Sequence, residues 1–158
     1  MKGNKVPASE KNTENKNLPL DLEAQVLHAL NQNRKLRFAL DESELRFSQL
    51  VQNLPVALYT CDKEGKITLF NGAAEKLWGR APEIGKDLWC GSWKIYNPDG
   101  SPLPIDECPM AITLREGRPV TDQEIIVERT DGTRRFVLPH PYPLYDLSGN
   151  LAGATNVL

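Results

Sequence analysis

Asp131-Gly132 sits between two strand-like runs, "TDQEIIVERT" (121–130) and "TRRFVLPH" (133–140). An Asp-Gly pair flanked by β-branched and apolar residues is a strong short-range signal for a β-hairpin, because the turn needs φ > 0 and glycine adopts it without steric cost. Antiparallel strands must therefore be part of the fold. A second pair stands upstream: "VALYTCD" (56–62) and "KITLFN" (66–71) are separated only by "KEG". A last strand, "NLAGATNVL" (150–158), follows the turn "DLSG". Between the two groups of strands the sequence changes character. Asn71 is placed to cap a short helix, "GAAEKLWG", ended by Gly79. Pro82 opens another short helical piece, and Asp106 caps a third running to about Glu116, with Pro109 in its first turn. Strands segregated from helices indicate an α+β fold with an antiparallel sheet.

Upstream, Leu22, Val26, Ala29, Asn33, Leu36, Leu40, Ser43 and Phe47 alternate spacings of four and three. This is the a/d seam of a coiled-coil-like helix, and an Asn in such a seam fixes register and strand number. Residues 22, 26, 29, 33, 36, 40 and 47 are the expected dimer interface. The alternative is one amphipathic helix lying on its own domain. Asp41 with Glu44 resembles a capping box, which would break the helix near 41. The polar run 1–17 is expected to be disordered, residues 18–52 to form the signalling and dimerisation helix, and 53–158 the folded domain.

Composition narrows the function. The chain has 158 residues, a net charge of −2 and 40% hydrophobic residues, enough for one core and too acidic for a nucleic-acid footprint. No apolar run has membrane length and no signal-peptide core opens the chain, so a cytoplasmic location is expected. Cys61, Cys90 and Cys108 lack CxxC spacing, which argues for reduced thiols over a disulfide framework or zinc knuckle. No P-loop, GxSxG, HExxH or EF-hand spacing occurs, so no catalytic residues are assigned in this segment. A zinc site from Cys90, Cys108 and His140 would need convergence in space alone, and no metal is expected.

The most irregular stretch is "DLWCGSWKIYNPDGSPLPIDECPM" (87–110). It is too rich in Pro and Gly for one helix or strand, and too aromatic for a solvated linker.

Taken in order, "ESELRFSQLVQNLPVALYTCDKEGKITLFNGAAEKLWGR" and "ERTDGTRRFVLPHPYPLYDLSGNLAGATNVL" resemble the entry and exit of the PAS fold, the sensor module of bacterial signalling proteins, over roughly residues 42–158. The segment "NPDGSPLPIDECPMAITLREGRPV" resembles those of sensor histidine kinases. The resemblance implies a five-stranded antiparallel sheet with short helices on one face and an N-terminal coiled-coil helix. It implies a cytoplasmic sensory module of a two-component protein whose full-length parent is an ATP-dependent histidine kinase. Such a module detects a small molecule or partner and relays it through its terminal helices as a homodimer. The alternative is a non-sensing dimerisation or spacer module in a diguanylate cyclase or transcriptional regulator. The family pattern continues past Leu158 into an Asp-Ile-Thr motif and an output domain, so this chain is expected to be a fragment. Haem-binding members take an axial His from the helix that here spans 106–116, and it has none. Flavin-photosensing members use an Asn-Cys-Arg-Phe motif, whereas Cys90 lies in "LWCGSW". Neither haem nor flavin is expected, and the cofactor, if any, is unknown. The expected pocket comprises Trp89, Trp93 and Tyr96 from the lid, Met110 and Leu114 from the 106–116 helix, and Phe136, Leu138 and His140 from one face of the 133–140 strand.

Overall fold

A computed structural model describes residues 20–158, with side chains from Asp21 onward. The expectation for residues 1–17 lies outside the described residues. Helix α1 runs from Leu20 to Asn53 without interruption, so Asp41 and Glu44 do not break it. Two compact units divide at Glu44/Leu45. In the first, α1 carries Leu22, Val26, Leu36 and Leu40 exposed, 41–68%.

In the second unit, β1 (Leu58–Asp62) and β2 (Ile67–Phe70) form the first hairpin. Asp62 builds its turn: one carboxylate oxygen accepts from the Glu64 and Lys66 amides at 3.0 and 2.9 Å. Helix α2 (Gly72–Trp78) starts at Asn71, whose side chain accepts from Ala74 N. The Arg129 side chain reaches back to the α2 carbonyl of Leu77 at 2.9 Å, satisfying an orphan acceptor of the helix end. Pro82 opens turns, not a helix. After β3 (Lys94–Tyr96), a 3-10 turn at Ile105–Glu107 precedes α3 (Pro109–Glu116), which begins at Pro109 and not at Asp106. The proline's missing N–H costs nothing at that position.

Four more strands complete the unit: β4 (Ile125–Glu128), β5 (Arg134–Val137), β6 (His140–Tyr145) and β7 (Leu151–Val157). All pairs are antiparallel, in the orders β2-β1-β7-β6 and β3-β4-β5. The fold is therefore α+β with an antiparallel sheet, but the expected five strands are seven. One addition is β3. The other arises because the strand expected at 133–140 breaks at Leu138-Pro139. Pro139, Pro141 and Pro143 recur with period two and carry no N–H. Alternate N–H groups of a strand point to the same side, so between Pro139 and Leu144 the chain can donate only from His140, Tyr142 and Leu144, before the bulge at Leu144/Tyr145. Those residues pair with Val157, Thr155 and Gly153 of β7. On its other side β6 has no strand partner, and β4 begins only at Ile125.

The core lies between the inner face of these strands and the short helices. Tyr59, Cys61, Ile67, Ala74, Trp78, Met110, Ile125, Val127 and Ala154 are among its buried members. α3 packs on β6 and β7, and α2 on β1. Tyr59 and Trp78 meet edge to face, with ring centroids 5.1 Å apart, an arrangement favoured by the ring quadrupoles.

Candidate functional site: the sheet interior and the α1 anchor

Strand alternation places Tyr59 and Cys61 of β1 on the inner face. Register sets Tyr59 opposite Asn156 of β7, and Asn156 opposite Pro141 of β6. Asn156 Nδ2 donates to Tyr59 Oη at 3.1 Å. Asn156 Oδ1 is buried without a protein partner. Between this pair and α3 a space of about 10 Å³ is lined by Tyr59, Cys90, Cys108, Met110 and Asn156, with apolar neighbours.

The three cysteines are free and buried. Burial raises the Cys61 thiol far above its ordinary range, and Cys108 and Cys90 raise it further. Burial likewise pushes Cys108 up to about 12, raises Cys90 and raises the Tyr59 phenol. An anion here would be desolvated without a counter-charge, so all four groups are neutral. Among the described residues, no group of three His, Cys, Asp or Glu side chains is placed to hold a metal ion.

The lid over the interior is ordered by specific bonds. Trp89 N donates to Gly65 O at 2.8 Å and Ile67 N to Asp87 O at 2.9 Å. Arg80 Nε donates to Gly91 O at 2.7 Å, and its terminal nitrogen to Asp87 at 2.9 Å. The Cys61 thiol points at Trp89 O, 3.8 Å away.

The eight residues expected to line one pocket fall into three places. Met110 and Leu114 are buried on α3, facing the core. Trp89 is half-buried and packs against the core from the lid. Trp93 and Tyr96 leave the interior and line an open groove of about 470 Å³ with Ile95, Pro102, Leu103 and Ile105. Trp93 is 58% exposed, and Arg134 covers the Tyr96 ring at 4.0 Å. Phe136, Leu138 and His140 face outward, into a surface groove with Pro55, Val56 and Leu77. The face of that strand is thus the reverse of the one expected. Val137, Pro139 and Pro141 are the inward set, all buried, and Pro139 lines the internal space beside Met110 of α3. Tyr59 and Asn156 were missed. Tyr59 shares parity with Ala57 and Cys61, and Asn156 is an amide in a strand that is otherwise apolar but for Thr155; both signals were readable.

A second cluster joins α1 to the sheet. Asn71 is fully buried. Its Nδ2 donates to Val51 O at 3.1 Å and to Val56 O at 2.9 Å. Its Oδ1 accepts from Leu58 N at 3.0 Å and Ala74 N at 2.9 Å. Gln52 adds a donation to Phe70 O at 3.0 Å and accepts from Gly72 N at 3.2 Å. The last turn of α1, the start of β1 and the first turn of α2 thus share two side-chain amides.

Residues 45–112 match the family described as the PAS domain. The fold is that of a PAS domain. Solved structures agree on the fold. The PAS domain of an HTR-like protein from Haloarcula marismortui is 19% identical, with TM-score 0.54, over 80% of this chain and 98% of that one. A domain of the sensory box sensor histidine kinase/response regulator from Geobacter sulfurreducens is 19% identical, TM-score 0.52, over 75% and 94%. The E. coli DhaR(N)-DhaL complex gives 14% identity and TM-score 0.60, over 89% of this chain and 44% of the other. No curated protein matches the sequence. No helix among the described residues is long and apolar enough to cross a membrane.

Proposed function

We propose that this PAS domain is the sensory module of a cytoplasmic two-component protein of the sensor histidine kinase kind. It works as a homodimer through α1 and passes changes in the interior to that helix. The observation that carries this reading is the Asn71 amide, which uses all four of its hydrogen-bonding positions on three elements. A shift of β1 or α2 must therefore carry the end of α1 with it or break buried bonds, which is costly. The kinase, in this reading, is an output domain of the same polypeptide. The name of the Geobacter relative supports that assignment.

The exposed apolar side chains of α1 support the dimer. In a parallel pair Asn33 meets its counterpart and fixes the register. Light scattering at about tens of micromolar is expected to give a dimer, and Leu36→Asp with Leu40→Asp a folded monomer. A monomeric parent protein overturns the dimer. The relay is tested by Asn71→Ala, which should speed amide exchange at residues 45–53. Unchanged exchange in a folded variant overturns it.

The filled interior favours a second reading, a PAS spacer that senses nothing, as in a diguanylate cyclase or transcriptional regulator. Native mass spectrometry of the purified protein separates the two: a retained small molecule supports sensing.

A further inference from the structure

Tyr59 and Asn156 are both 2% exposed, and together they leave hydrogen-bonding capacity unused. With Asn156 Nδ2 donating to Tyr59 Oη, the phenol keeps its own hydrogen and Asn156 Oδ1 keeps its lone pairs. If the amide is turned over, the phenol donates to Oδ1, leaving Nδ2 as donor and a lone pair on Oη as acceptor. In either orientation the pair offers at least one donor and one acceptor, and both residues line the same internal space. A hydroxyl group both donates and accepts through one oxygen. We propose that Tyr59 and Asn156 are the polar anchor of an internal binding site for a small uncharged molecule that presents a hydroxyl group. The proposal rests on the sensory reading above and gives it a ligand class.

The rest of the lining sets the charge and the size. It contains no Asp, Glu, Lys, Arg or His, so a charged ligand would enter without a counter-ion, at a large desolvation cost. Cys90 and Cys108 are thiols there, not thiolates. A space of about 10 Å³ admits one hydroxyl oxygen and little more. Water meets that limit directly. The carbon part of an alcohol needs the room that Met110 occupies, and an unbranched thioether side chain gives way more readily than a branched one.

Two measurements test this. In a high-resolution crystal structure of the unaltered chain, an ordered oxygen should lie within hydrogen-bond distance of both Tyr59 Oη and the Asn156 amide. Density for that oxygen alone identifies water as the resting occupant, and continuous carbon density identifies an alcohol. No oxygen there overturns the proposal. The second measurement enlarges the space with Met110→Ala and titrates phenol, toluene and benzoate by calorimetry. Phenol should bind roughly tenfold tighter than toluene, the ratio expected for one satisfied buried polar pair, and benzoate should not bind. Adding Asn156→Leu should reverse the order of phenol and toluene. Phenol no tighter than toluene, binding of benzoate, or no binding of either neutral probe each overturns the site. A Met110→Ala protein that fails to fold leaves the crystallographic test in force. The dimer and relay measurements do not involve the interior, so failure of this site and failure of the sensory relay are told apart.

Discussion

The indole of Trp89 occupies the space a side chain at Gly65 would need: a Cβ built on Gly65 stands 2.2 Å from Trp89 Cζ3. Both residues have positive φ, 84° at Gly65 and 64° at Trp89. For a residue as bulky as Trp this conformation is strained and persists only where surrounding contacts hold it. The Trp89 amide bond to Gly65 O and the bonds of Arg80 supply those contacts. Gly65→Ala is expected to destabilise the domain by about 2 kcal/mol through the clash and the backbone strain. Urea unfolding followed by tryptophan fluorescence checks this. A midpoint unchanged from the parent would show that the lid does not rest on the hairpin turn.

Asn71→Ala removes four hydrogen bonds at once, two buried and two partly buried, leaving two carbonyls and two amides to find other partners. A loss of about 3 kcal/mol is expected, at the upper end for one residue because the whole network goes. Asn71→Asp keeps the acceptor for Leu58 and Ala74 but loses both donors, and should fall between the two. An Asp variant less stable than the Ala variant would mean that a buried, carbonyl-facing charge outweighs the retained cap.

Four carboxylates are held below their ordinary range by local donors. The Ser101 hydroxyl and amide lower Asp99, the Thr133 side chain and amide lower Asp131, Asn150 lowers Asp146, and Arg134 lowers Glu128. A lowered folded pKa means that the charged form is favoured by folding. The contribution is complete above the ordinary values, 3.8 for Asp and 4.5 for Glu, and is lost as pH falls through the lowered ones. Stability should therefore be level near neutrality and decline below about pH 4.5. Urea midpoints between about pH 6 and 2 test this. A decline that sets in above pH 5 would point to other groups.

Amide exchange reports on the broken strand. His140 and Tyr142 should be protected, since they donate to β7, while Thr121 and Asp122 should exchange quickly, having no strand opposite. Equal protection at both places would mean that β4 extends past Ile125 and pairs with β6.

The hairpins were legible because their signals are local: Asp131-Gly132 and the Asp62–Gly65 turn form where turn chemistry requires them. Asn71 was legible as a helix cap for the same reason. Its bonds to Val51 and Val56 were not, because they depend on where α1 ends, and the capping-box signal at Asp41 pointed to an earlier break. A capping box specifies a start only where the preceding turn is not already helical, and here residues 36–40 are already within α1. The inner face of the last strands was misread because parity separates the two faces of a strand without saying which one is buried. Phe136 and Leu138 are the larger residues, but Val137, Pro139 and Pro141 share the inward phase. The lid defeated the reading for a different cause: Trp93 immediately precedes, and Tyr96 ends, an edge strand, β3, that has three residues and no periodicity to detect.

The alternating prolines of β6 have a consequence for the protein in a crowded cell. The edge they form displays carbonyl oxygens but no N–H groups from residues 139, 141 and 143. An extended segment of another chain that approaches it finds acceptors and no donors, so it can close only half of a ladder. Sheets commonly protect such margins with charges or with a covering helix. Here the protection is written into the backbone, and it also holds in partly unfolded states where a covering element would have detached. Replacing the prolines by residues that carry an N–H would restore the missing donors and turn this margin into a template for aggregation.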